Sequence, residues 1–376
     1  MRKFFKWFII LFSAVTLYLI ATNKLYYYKA LVYNYVNIDD LDLFATRTVA
    51  TSNSQDWNIS SQYNKQKLSA RLTKQLEDFK SVAFLIIKDD SILYEQYWDG
   101  YSDSSLSNSF SMAKSVVGML IGVAIDEGKI KSIDQCVADF IPEFKESPKN
   151  KITIKHLLMM SSGLDWNEGY SSLTSQVTEA YYGKDLYKQV VSLKAIEEPG
   201  KFWNYRSCDT ELLGIVLSKA TGMSLSEYAS QKLWKPMNAN HAGQWSLDHA
   251  DGYEKAYCCY YSNARDFARF GKLYLQKGNW NGVQLVDTDY VNASTTANLL
   301  EDAETKQLST NYGYQIWITK YDGLHIFYMR GILGQYVITV PDKNLIIVRL
   351  GKERSTDANG KANDYPVLIE EVMKML

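Results

Sequence analysis

The chain is poor in residues that build metal centres. Its four histidines, His156, His241, His249 and His325, form no His-x-His or His-Glu-x-x-His cluster. That pattern excludes the usual zinc hydrolase signatures. Its four cysteines, Cys136, Cys208, Cys258 and Cys259, include no Cys-x-x-Cys pair. Free, partly buried thiols are expected, with room for one disulfide whose pairing spacing alone does not decide. Charge of one sign is lacking too: 41 basic and 42 acidic residues are interspersed, for a net charge of −1. No basic face is visible, so nucleic acid is not an expected partner. There are no internal repeats.

What is present bounds the architecture. With 376 residues, 46% of them hydrophobic, the chain can bury one large core or two small ones. The 28 tyrosines and 9 tryptophans suit an aromatic-lined cleft or simply a large aromatic core. At the start, Arg2, Lys3 and Lys6 precede an apolar run from Trp7 to Ala21, which Asn23 and Lys24 end. A basic start followed by such a run fits a signal peptide or a short signal anchor. Leu19 occupies the place where a cleavage site wants a small residue, which favours an uncleaved anchor over residues 1–22. The positive flank keeps the N-terminus in the cytoplasm and exports the rest. Residues 23–60 are polar and tyrosine-rich with little periodicity and read as a tether or arm. Residues 61–376 read as the folded domain.

Within that domain, Leu68, Leu72, Leu76 and Phe79 mark one side of an amphipathic helix over 66–79. Residues 82–88 and 92–98 read as a hairpin turning at Asp89-Asp90. A long apolar helix follows Ser111 and ends near Gly128, with Gly118 and Gly122 placed to admit another element closely. Helices are expected over 153–160, 210–220 and 264–276, and Ser224-Leu225-Ser226-Glu227 is a capping box opening another. Strands return at 313–319, 325–329, 336–340 and 345–350, before a final helix over 366–376. Strands at both ends with helices between predict an α+β fold. Both ends then share one antiparallel sheet, the helical middle forms a second lobe, and the cleft between them is a natural site.

One short stretch carries chemistry. In Ser111-Met112-Ala113-Lys114 the serine and lysine lie on one helix face, about 5–6 Å apart at Cβ. A serine hydroxyl becomes a nucleophile when a neighbouring base takes its proton, and a lysine in a dry cleft can be that base. The helix N-terminus favours a developing oxyanion. The competing reading is a serine N-cap with a solvated lysine. A second proton carrier would complete the site. Tyr205 qualifies, within Glu198-Pro199-Gly200-Lys201-Phe202-Trp203-Asn204-Tyr205-Arg206-Ser207, while Tyr261-Ser262-Asn263 matches Tyr-x-Asn more literally. In Met329-Arg330-Gly331-Ile332-Leu333-Gly334-Gln335 the glycines mark either a strand that lets something close to its backbone or a plain bulge.

Together these pieces resemble the serine β-lactamase and penicillin-binding superfamily, whose order is Ser-x-x-Lys, Tyr-x-Asn, Lys-Thr-Gly. The resemblance runs from about Val82 to Leu350. It is nearest to the branch holding 6-aminohexanoate-dimer hydrolase, class C-like esterases and D-aminopeptidase-like enzymes. It is carried by Ser109–Ser115, by His156–Leu164, by Pro199–Tyr205 on to Leu213-Gly214, by Ala264–Gly271, and by Arg330-Gly331 with Gly334-Gln335. It selects Tyr205 over Tyr261. It implies a β-lactamase/transpeptidase-like fold and a serine hydrolase acting on small amides or esters. Ser111 would form an acyl-enzyme, Lys114 and Tyr205 would move the proton, and the N–H groups of Ser111 and Ile332, beside Gly331, would hold the oxyanion. No metal or organic cofactor is implied. Two departures stand out. Ser207 replaces the usual asparagine and reaches less far towards a substrate amide. Met329-Arg330-Gly331 replaces Lys-Thr-Gly, removing the lysine that assists penicillin binding, and alternation turns Arg330 away from the cleft. Tyr170 matches a loop tyrosine that caps the cleft in that branch. A β-lactamase or D-Ala-D-Ala carboxypeptidase, and a catalytically silent sensor, are the rival functions. The oligomeric state stays open.

Overall fold

A computed structural model of the protein describes residues 1–33, 35–170, 172–357 and 363–376. Helix α1 (Arg2–Ala21) and α2 (Tyr26–Tyr33) come first, then strands β1 (Thr46–Val49) and β2 (Asn58–Ile59). Helix α3 (Ala70–Asp78) precedes the hairpin β3 (Ser81–Lys88) and β4 (Ser91–Tyr97). Strand β5 (Ser107–Asn108) leads into α4 (Met112–Asp126). The middle of the chain carries α5 (Ile154–Leu158), α6 (Gln176–Tyr182), α7 (Ser207–Thr221), β6 (Gly243–Ser246), β7 (Tyr260–Ser262) and α8 (Ala264–Leu275). Strands β8 (Trp317–Tyr321), β9 (Leu324–Gly331), β10 (Gln335–Val340) and β11 (Leu345–Gly351) follow, and α9 (Tyr365–Met375) ends the chain.

Seven strands form the main sheet in the order β8-β9-β10-β11-β3-β4-β2. The two ends of the domain meet in its centre, where Ile86 of β3 faces Ile347 of β11. Alternate residues of these apolar strands serve two cores. Leu85, Ile87, Val337 and Val348 face α4 and α8. Phe84, Ile86, Ile338 and Ile347 face Leu72 and Leu76 of α3 and Leu368 and Val372 of α9. Burial on both faces is why β3 and β11 read as continuous apolar runs rather than alternating ones. The neighbours are antiparallel, as expected, except β2, which lies parallel to β4.

Helix α4 is enclosed: every residue from Met112 to Ala124 is buried. Its two glycines do admit neighbours. A Cβ on Gly122 would stand 2.6 Å from the Tyr290 ring, and one on Gly118 would stand 3.1 Å from Gln315.

Several expectations are corrected. Helix α3 starts at Ala70, not 66, because Ser69 caps it by accepting from the Leu72 amide. The strand expected from 313 begins at Trp317, since Gly313 N–H closes a turn onto the Ile316 carbonyl at 2.9 Å. For residues 23–60, of the tether and the arm lying on the domain, the contacts favour the arm. Tyr26, Ala30, Ile38, Val49 and Trp57 are buried, β1 pairs with β6, and the Trp57 indole donates to the Arg265 carbonyl at 2.8 Å. All five join the larger core cluster of the domain, at irregular intervals that leave no period to read. The cysteines are not all free. Cys258 and Cys259 are joined to each other, while Cys136 and Cys208 are thiols. Cys259 has left-handed backbone, φ 65°, a conformation that spacing does not announce.

Candidate active site

Ser111 is placed by strain and by a strand pair. Strand β5 pairs with β7, Asn108 opposite Tyr261. The chain then turns sharply through Phe110, whose φ of 42° is left-handed. A bulky residue there costs on the order of 1 kcal/mol or more. The turn is held by the Phe110 amide donating to Asn108 Oδ1 at 2.9 Å, by the Ser109 amide donating to the Tyr260 carbonyl at 2.8 Å, and by burial of the Phe110 ring. Ser111 emerges at the mouth of α4 with helical backbone and no side-chain capping bond. Its hydroxyl does not cap the helix. Lys114 Nζ lies 3.0 Å from Ser111 Oγ.

Lys114 is 1% exposed. Its amine also donates to the Tyr257 carbonyl at 2.8 Å and lies 5.1 Å from the Tyr205 ring and 5.4 Å from the Tyr257 ring. It has no carboxylate partner among the described residues. Tyr205 precedes α7 and is fixed by aromatic neighbours. It tilts against Trp317 at 5.4 Å and meets Tyr312 edge-on at 6.0 Å. The rival Tyr261 has another task. It is buried, and its hydroxyl accepts from Asn108 Nδ2 at 3.0 Å, which braces the strand leading to Ser111.

Strand β9 reaches the same place. A Cβ built on Gly331 would run into the Ser109 carbonyl oxygen, so glycine is what lets the strand end approach the serine-bearing turn. Ile332 then opens a tight turn in which Leu333 is left-handed, φ 60°. Among the described residues, neither the Ser111 N–H nor the Ile332 N–H has an acceptor outside its own secondary structure. Met329 is buried in the core against α4 and α8. Arg330 lies on the other sheet face with its guanidinium 3.6 Å from the Trp317 ring centroid. It does not line the cavity, although its charge reaches the phenol of Tyr170, which does.

A cavity of about 640 Å³ opens over Ser111, lined also by Glu168, Tyr170, Ser207, Tyr257 and Ile332. Lys114, Tyr205 and Gly331 stand behind this wall. Glu168 is the residue that sequence reading missed. Its carboxylate accepts from Trp166 Nε1 at 2.5 Å, Tyr170 OH at 2.6 Å, the Ser207 amide at 2.8 Å and Ser207 Oγ at 2.6 Å. The Ser207 hydroxyl therefore serves Glu168 and is not held out towards a substrate. A lone acid in a loop carries no spacing signal, and the stretch around it drew notice only for Tyr170. Tyr170 lines the cavity and is half exposed. Desolvation of its phenol, and then the nearby Glu168 carboxylate, hold it well above the usual tyrosine range. Tyr257 is raised likewise by burial, and its hydroxyl has no partner among the described residues. At the rim, Arg354 lines the cavity and enters no ion pair among the described residues. The described residues hold no cluster of metal-ligating side chains.

Such an arrangement can pass a proton between the Ser111 hydroxyl and the Lys114 amine, beside the Tyr205 ring. Comparison with known proteins agrees in fold. A family model described as Beta-lactamase matches residues 69–369. The 6-aminohexanoate-dimer hydrolase of Paenarthrobacter ureafaciens is 27% identical over 296 residues, 74% of each chain. A Bacillus anthracis structure provisionally named as such a hydrolase superposes with a TM-score of 0.78 at 22% identity, covering 90% of this chain and 92% of that one. A family VIII carboxylesterase superposes with a TM-score of 0.63 at 18% identity, over 83% and 99% of the two chains. The chain belongs to the beta-lactamase family and is a serine hydrolase of that fold.

Proposed function

We propose that the protein cleaves small amide or ester bonds through an acyl-enzyme on Ser111. The observation that carries this reading is the buried Lys114 amine, 3.0 Å from Ser111 Oγ and without a counter-ion among the described residues. Lys114 takes the hydroxyl proton as Ser111 Oγ bonds to the carbonyl carbon. The carbonyl electrons move to oxygen, which the N–H groups of Ser111 and Ile332 hold. Tyr205, against the same amine, returns the proton to the leaving amine or alcohol as the tetrahedral intermediate collapses. Water then attacks the acyl group by the reverse proton route and frees the acid and the serine. Glu168, held by Ser207, fixes the loop carrying Tyr170 over the bound substrate.

The names of the relatives suggest the bond type: an amide in 6-aminohexanoate-dimer hydrolase and an ester in the carboxylesterase. The N-terminal helix supports export. Arg2–Ala21 is long and apolar enough to cross a membrane, and we read it as a retained anchor with the catalytic domain on the outer side. A second reading, turnover of cell-wall peptides or β-lactams, has one feature in its favour: Arg354 at the rim, which enters no ion pair among the described residues, could meet a substrate carboxylate. Met329 in place of the usual lysine stands against it.

The test is covalent labelling by a fluorophosphonate together with hydrolysis of p-nitrophenyl acyl esters. Wild type is expected to label and turn over, and Ser111→Ala to do neither. Equal behaviour of the two proteins overturns the nucleophile. Stoichiometric labelling by fluorescent penicillin would favour the second reading. Recovery of the chain in the soluble exported fraction would overturn the anchor.

A further inference from the structure

The anchor, α2 and the cavity are one continuous construction. Four residues link the end of α1 to the start of α2, too short a link to leave the bilayer surface by more than about 17 Å even when extended. It also folds back along α1. Tyr28 OH lies 2.7 Å from Thr16 Oγ1, and its ring is 5.9 Å from that of Phe12. Phe12 lies nine residues inside the end of α1, about 14 Å along the axis. If α1 spans a bilayer, a side chain that touches Phe12 is at the level of lipid. The opposite side of α2 belongs to the catalytic domain. Tyr26 and Ala30 are buried against it, α2 packs on α6, and Ala30, Tyr35 and Val36 form part of the cavity wall. Between these contacts Leu25, Leu31 and Val32 stay exposed, at 45%, 59% and 76%. Apolar side chains among tyrosines directly after a span are the composition of a membrane interface.

We infer that the cavity opens at the membrane surface, with α2 dipping beside α1 below the headgroups, and that its substrate is a membrane-borne amphiphile whose acyl chain enters past α2 to reach Ser111. This rests on the hydrolase and anchor readings above. The covering partner is the bilayer, because the exposed α2 residues are continuous with the spanning helix. The wall supplied by Val36, Leu173, Val177 and Leu333 is apolar, as burial of an acyl chain requires.

The experiment uses the full chain reconstituted in phosphatidylcholine/phosphatidylglycerol vesicles and p-nitrophenyl esters from acetate to decanoate. Wild-type kcat/KM is expected to rise about two- to fourfold per added methylene over the middle of the series. The Leu31→Glu/Val32→Glu protein is expected to keep acetate turnover within twofold and to lose tenfold or more on vesicle-borne decanoate. A flat or falling chain-length series, or equal loss on both esters, overturns the inference and leaves the hydrolase reading intact. Absence of Ser111-dependent hydrolysis of every ester overturns the hydrolase reading and this one with it. Both exposed positions lie outside the core, and should the double variant fail to fold, wild type decides the matter: equal kcat/KM on decanoate with and without vesicles overturns the inference.

Discussion

Glu168 receives both polar groups of Ser207, the amide at 2.8 Å and the hydroxyl at 2.6 Å. Each carboxylate oxygen thus has two donors: Oε2 takes the Ser207 and Trp166 N–H groups, and Oε1 takes the Ser207 and Tyr170 hydroxyls. Hydroxyls can turn to accept, so a glutamine with its amide nitrogen at Oε1 satisfies every partner. Glu168→Gln is expected to keep stability within about 1 kcal/mol and activity within tenfold. Glu168→Ala leaves buried donors unpaired and should cost about 2 kcal/mol, and it should lower kcat/KM by more than tenfold through release of the Tyr170 loop. Urea unfolding and ester kinetics measure both. If Gln and Ala behave alike, the carboxylate acts by its charge and not by positioning.

At Gly331 a methyl group has nowhere to go but into the Ser109 carbonyl. Gly331→Ala should therefore push β9 away from the serine turn, destabilise the fold by about 1–3 kcal/mol, and lower kcat/KM by tenfold or more as the Ile332 N–H moves off the oxyanion position. Full activity in a stably folded variant would show that the Ile332 N–H is not used.

Much of this was legible because burial writes a pattern. The runs at 82–88 and 345–350 are apolar throughout since both sheet faces are covered, and Ser111-x-x-Lys114 is legible because a helix brings i and i+3 together. Gly331 was legible as a place of close approach, though not what approaches. Glu168 and the arm were not legible, because their contacts come from loops whose partners are set by tertiary packing: Ser207 lies 39 residues from Glu168, and Trp57 meets Arg265 across 208. The Cys258–Cys259 bond occurs with a left-handed Cys259, which no residue pattern encodes. Ser207 was legible as a departure from asparagine, but its partner was not.

Tyr257 lines the cavity and contributes its carbonyl and ring to Lys114, while its hydroxyl is buried and has no partner among the described residues. Removing that hydroxyl removes an unsatisfied group, so Tyr257→Phe should hold or gain up to about 1 kcal/mol of stability. The hydroxyl is sealed from solvent, so the same variant should leave both KM and kcat little changed. A drop in kcat with unchanged KM would instead place the hydroxyl in proton transfer.

Asp209, in the first turn of α7, is fully buried, accepting from Ser162 Oγ at 2.5 Å. Burial pushes its carboxyl up to about 6, against the pull of the Arg206 guanidinium and the Ser162 bonds. The folded protein then keeps a proton that the unfolded chain, near the ordinary value of 3.8, has already lost. The stabilisation is complete below about pH 4 and disappears as pH rises through about 6, by up to about 3 kcal/mol. Asp209→Asn cannot titrate, yet its carbonyl still accepts from Ser162. The unfolding free energy of wild type minus that of Asp209→Asn should therefore fall between pH 4 and pH 7, as followed by urea denaturation at each pH. A difference that stays constant across that window would show that Asp209 is ionised throughout, with Arg206 as its full counter-ion.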